Sequence, residues 1–104
     1  MQRHAFKMFL NPGMRAEYMK RHDEIWPELV TLLADAGISN YSIHLDQESD
    51  VLFGYLERTD QHTMADLPNH PVMKKWWAYM NDIMKYNTNG TPVAIAMDEL
   101  FYMK

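Results

Sequence analysis

The chain has 104 residues, a formal charge of −4 and a sequence pI near 5.6, enough for one domain with a single core. Apolar residues make up 47% and charged residues 23%, a globular mixture in which no basic stripe exists to displace counterions from nucleic acid. Cysteine is absent, which excludes a disulfide framework, a thiol nucleophile and a thiolate metal site. No segment approaches the run of about 18 apolar residues that a membrane span needs, and the first residues lack the apolar stretch of a signal peptide. The expectation is a cytoplasmic, soluble protein with no membrane or nucleic-acid partner.

Residues 4–10 alternate as a strand, with Phe6, Met8 and Leu10 on one face. Asn11 and Pro12 read as an N-cap and a first helical position, opening a helix that runs to Ala36 and stops at Gly37. Its core stripe is Met14, Tyr18, His22, Ile25, Trp26, Leu29, Leu32, Leu33 and Ala36. Pro27 cannot donate to the Asp23 carbonyl, which predicts a kink around residues 22–26. Strands at 40–46 and 51–57, joined by the polar turn Gln47-Glu48-Ser49-Asp50, read as a hairpin in which Tyr41, Ile43 and Leu45 share a face. Thr59 and Asp60 are read as the cap of a helix through Leu67, interrupted by Pro68-Asn69-His70-Pro71. A helix over 72–84 then carries Met73, Trp76, Trp77, Met80, Ile83 and Met84 at helical spacing. After a loop at 87–92, a last strand is expected over 93–103.

The order is βαββαβ, the ferredoxin-like arrangement of the α+β class: a four-stranded antiparallel sheet with helices on one face. The last strand is apolar on both sides, with Ile95, Met97, Phe101 and Met103 alternating with Ala94, Ala96, Leu100 and Tyr102. An open apolar face of that size is best covered by a second copy packed sheet against sheet, so a homodimer is predicted.

The adjacent indoles Trp76 and Trp77 point to a ligand site. Neighbours on a helix lie about 100° apart, so one core stripe does not swallow both, and a flat apolar ring with an N–H suits the C–H face of a sugar. His22 stands in the apolar stripe of the first helix, four residues after Tyr18 and therefore on the same side. Two readings fit it: a core histidine with a satisfied hydrogen bond, or a proton donor working near neutral pH without a cofactor. Tyr41 fits a core or a pocket equally well. No histidine pair has zinc-site spacing, no serine has a nucleophile-elbow context and the glycines form no phosphate loop. Glu17, Glu24, Asp35 and Asp82 read as solvated helix faces.

Taken together, Arg21-His22, Ile25-Trp26-Pro27-Glu28-Leu29, Asn40-Tyr41-Ser42-Ile43, Leu45-Asp46, Leu52-Phe53 with Glu57, Trp76-Trp77-Ala78-Tyr79-Met80 with Asp82, and Phe101-Tyr102 resemble the L-rhamnose mutarotase family. The match runs in order along nearly the whole chain. The resemblance implies a dimeric α+β barrel of ferredoxin-like protomers, cytoplasmic and without a cofactor, that interconverts the α and β anomers of L-rhamnose. It implies that His22 is the proton donor and that Tyr18, Tyr41, Trp76 and Trp77 contact the sugar. Two alternatives stand beside it. One is a small dimeric α+β-barrel monooxygenase acting on a quinone-like or haem-like substrate; the other is a non-catalytic sugar-sensing or dimerisation module.

Overall fold

Alternation along three long strands decides the architecture of the computed structural model, which describes residues 1–104. β1 (Gln2–Phe9), β2 (Ile38–Asp46) and β3 (Val51–Arg58) join a two-residue β4 (Ile95–Ala96) in an antiparallel sheet of order β2-β3-β1-β4. Even-numbered residues of β1 and β3 face the helices: Phe6 stands opposite Gly54, Met8 opposite Leu52 and His4 opposite Leu56. Phe6, Met8, Leu52 and Leu56 are all buried, and with Leu29, Trp76, Met80 and Ile83 they form one core between sheet and helices. The ferredoxin-like reading holds.

The first helical segment is two helices, not one kinked helix. α1 (Arg15–Asp23) ends before Glu24, and α2 (Pro27–Asp35) starts afresh with Pro27 in its first turn. The pyrrolidine ring drives the preceding residue out of the helical region, and Trp26 is extended at φ −66°, ψ 131°. The N-terminal boundary also shifts. Residues 12–13 form a turn with Gly13 at φ 78°, so α1 begins at Arg15 rather than Pro12.

Three further boundaries differ from expectation. The segment expected to be helical from Thr59 is a turn followed by a short 3-10 helix (Met64–Asn69), since Pro68 cannot sustain α-helical bonding. α3 (Pro71–Met80) is capped by the His70 ring, whose Nδ1 accepts from Val72 N–H, and it ends four residues early. Ile83 and Met84 are nonetheless buried in the core, beyond the helix end. The last strand pairs with β1 only at Ile95 and Ala96, with one more backbone bond from Met97 N–H to the Ala5 carbonyl. Beyond that the chain is held by side chains: Arg3 donates to Glu99 at 2.8 Å and lies 3.4 Å from the Tyr102 ring centroid.

One irregularity matters for the site. The β2–β3 register shifts between Ser39 and Ser42, and Asn40 adopts φ 48°. The extra residue of this bulge re-aims its neighbour. It brings the Tyr41 ring to the helix side, 6.1 Å from Phe6 and edge-on to it.

Candidate functional site

Helix pitch brings Tyr18 and His22 together on α1. Their rings stack at 4.3 Å between centroids with 26° between planes. The Tyr18 carbonyl is also 3.0 Å from Nδ1 of His22. A carbonyl only accepts, so Nδ1 carries the proton and donates to it, and in the neutral ring Nε2 is left with the free lone pair. On the far side the imidazole meets Trp76 edge-on at 5.4 Å and 90°. His22 is half-buried, and burial lowers its pKa below the ordinary imidazole value; the Tyr18 backbone bond offsets part of that.

The remaining residues surround this pair unequally. Trp76 is buried and touches Trp26 at 5.2 Å and Tyr79 at 5.8 Å, so it is a wall continuous with the core. Trp77 is half-buried on the adjoining face of α3 and takes part in none of these ring contacts. One indole inward and one at an edge is what the spacing predicted. Burial raises the Tyr18 hydroxyl well above the ordinary phenol value, and charge on Tyr41 or Tyr86 adds to that, so the three phenols lie within electrostatic reach of one another. Tyr41 is 40% exposed over the whole residue, yet burial pushes its hydroxyl up to about 12, so the crowding is at the oxygen end.

Space for a ligand lies under α1. A cleft of about 360 Å³ is lined by Tyr18 but not by His22, Tyr41, Trp76 or Trp77; it is floored by Leu10, Ile43, Leu45 and Leu52 and rimmed by Arg15, Met19, His44 and Gln47. A smaller hollow between α2 and the 3-10 segment contains none of the five candidate residues. No group of three or more His, Cys, Asp or Glu is arranged to hold a metal ion. The arrangement therefore offers one imidazole with a free nitrogen, phenol hydroxyls and aromatic walls. That set is suited to moving a proton on an uncharged polyol.

Comparison with known proteins decides the lineage. A family profile described as L-rhamnose mutarotase matches residues 3–103. The chain belongs to the L-rhamnose mutarotase family. It is 62% identical over 103 residues to the L-rhamnose mutarotase of Sinorhizobium fredii, covering 99% of each chain. It is 64% identical over 102 residues to that of Rhizobium etli, covering 98% of this chain and 96% of the relative. The crystal structure of an L-rhamnose mutarotase from Formosa agariphila superposes with a TM-score of 0.93 at 45% identity, over the whole of both chains. Membership of the mutarotase family sets aside the monooxygenase and sensing-module alternatives.

Sequence reasoning missed three residues next to the site. Arg21 is buried, and Asp82 and Glu17, read as solvated carboxylates, are both bonded to it. The available signal was that Arg21 lies three residues from Tyr18, on the flank of the apolar stripe. Tyr86 was also passed over, although its hydroxyl is buried without a partner.

Proposed function

We propose that this mutarotase-family enzyme interconverts the α and β anomers of L-rhamnopyranose, with His22 moving the proton and Tyr18, Tyr41, Trp76 and Trp77 holding the sugar. The observation that carries the assignment of His22 is its geometry: Nδ1 is committed to the Tyr18 carbonyl, and Nε2 has no hydrogen-bond partner on a half-buried ring that contacts Tyr18 and Trp76.

Burial keeps the ring neutral near pH 7, so it accepts a proton before it donates one. Nε2 takes the proton of the anomeric hydroxyl as the electron pair on that oxygen forms the aldehyde C=O. The bond from C1 to the ring oxygen breaks, and that oxygen takes the proton back from the imidazolium. Rotation about C1–C2 presents the other face of the aldehyde, and the same steps in reverse close the ring. Protons balance between His22 and the sugar, and no cofactor enters the sum. The neutral imidazole thus serves first as base and then, once protonated, as acid. Trp76, Trp77 and Tyr41 offer apolar surface to the C–H edges and 6-methyl group, and Tyr18 offers a buried hydroxyl.

Saturation-transfer NMR on the anomeric protons tests this. General acid–base catalysis contributes about 10²–10⁴-fold, so His22→Ala lowers catalysed exchange by that order with the fold intact. A variant as fast as the parent removes His22 from the mechanism.

The proposal includes a homodimer and a cytoplasmic site of action on the free sugar. What supports the dimer is the sheet face turned away from the helices. Phe53 and Ile95 are exposed there, and Leu100, Phe101 and Met103 of the C-terminal segment stand out at 94%, 79% and 79% exposure. A second copy buries such a surface by pairing the two outer faces.

A further inference from the structure

Of the nine residues of α1, Tyr18 and Arg21 alone are buried, and the helix backbone makes no extensive contact with any other element. Isolated helices shorter than about 12–15 residues are marginal in water, so α1 depends on its side chains for a fixed position. Arg21 holds its last turn. Nη1 donates to the Tyr79 carbonyl at 2.7 Å and to Asp82 Oδ1 at 2.8 Å; Nη2 donates to Asp82 Oδ2 at 3.2 Å. Nε donates to Glu17 Oε1 at 3.0 Å, and the guanidinium carbon lies 4.6 Å from the Tyr79 ring centroid. A rigid planar fork with several donors suits acceptors that lie in different directions around it.

The anchor points bear on the site. Residues 76, 79 and 82 follow at three-residue spacing, so the anchor of Arg21 begins one turn beyond the indole that His22 meets at 5.4 Å. Arg21 and His22 are consecutive, and any slide of α1 along α3 displaces both. We propose that Arg21, held by Asp82 and the Tyr79 carbonyl, is a positioning residue that sets where the His22 imidazole stands against Trp76 and the sugar. This rests on the role of His22 proposed above.

The test uses the intact chain as Arg21→Met and Asp82→Ala variants, with His22→Ala in parallel. Steady-state anomer exchange with L-rhamnose yields kcat and KM, nitrogen spectra of the His22 ring report which nitrogen is protonated, and circular dichroism reports the fold. Misplacing a reacting group by about 1 Å can cost about 100-fold. The expected result is a folded Arg21→Met chain whose kcat falls by about 10- to 100-fold while KM changes by less than about threefold. Its His22 ring no longer shows a single Nδ1-protonated form. Should Arg21→Met fail to fold, Asp82→Ala decides, because the Asp82 side chain is 68% exposed and its removal empties no core. Parent-like kcat in a folded variant overturns the proposal, as does a loss of kcat with unchanged His22 ring signals. A His22→Ala chain as active as the parent instead overturns the site assignment itself, whatever the Arg21 variants do.

Discussion

The carbonyl of Tyr18 accepts the Nδ1 proton of His22 at 3.0 Å while the two rings stack at 4.3 Å, so one helical turn fixes both the tautomer and the tilt of the imidazole. Helices rarely use a backbone carbonyl this way in mid-run, because it is committed to the N–H four residues on. Here the residue four on is His22 itself, inside α1, and its ring uses the second lone pair of that carbonyl.

Acid should affect both rate and stability through this imidazole. Burial lowers its pKa below the ordinary value near 6.5, so exchange is flat around neutrality and falls as pH drops through the depressed value. The sign for stability comes from the same shift. The unfolded chain binds a proton near pH 6.5 that the folded chain resists, so stability is lost as pH falls below about 6.5 and the loss ends once the folded pKa is passed. His4, also lowered by burial, adds to the effect. Urea unfolding at pH 7.5 and at pH 5 measures it, and a flatter dependence is expected in His22→Gln.

The two indoles should separate into a packing role and a binding role. Trp76 is 6% exposed amid Trp26, Tyr79 and His22, and truncation of a buried tryptophan costs about 3–5 kcal/mol. Trp76→Ala should therefore lower the unfolding midpoint strongly. Trp77→Ala, at a half-buried position, should cost less stability and show itself in a raised KM for L-rhamnose. Denaturant melts and exchange kinetics on both variants check the contrast.

Gly54 and Tyr41 are both neighbours of the Phe6 ring. A Cβ built at Gly54 would overlap the Phe6 ring, which lies across the glycine and meets Tyr41 edge-on. Gly54→Ala should push Phe6 aside and cost about 1–3 kcal/mol by overpacking, with KM rising as Tyr41 is displaced. A thermal melt together with KM reports both parts.

Association should be sensitive to charge on the outer sheet face. Phe53 stands opposite Lys7 and His44 in the middle of that face. Phe53→Glu should turn a dimer into monomers, measured by sedimentation at micromolar concentration. A monomeric parent chain at the same concentration would refute the dimer.

Much of this was legible from spacing. Strand alternation identified the inward set Phe6, Met8 and Leu10; four-residue spacing joined Tyr18 to His22; adjacency of Trp76 and Trp77 required one indole inside and one at an edge. Pro27 announced the interruption of the helix, though not that Trp26 would become extended and α2 begin anew. Each of these depends on residues a few positions apart, where backbone geometry converts sequence distance directly into direction.

Only the tertiary structure decided the meetings across long stretches of chain. Arg21 reads from its residue type as a solvated cation, and it becomes a buried clamp because α3 returns with Tyr79 and Asp82 at its fork, 58 and 61 residues later. Tyr41 turns inward through a bulge whose register is set by β3, and the last strand pairs for two residues, with side chains of Arg3 and Glu99 meeting beyond it. Periodicity carries the direction of a side chain but not the identity of the distant group it will face, and at this site that identity separates the proposed proton carrier from its supports.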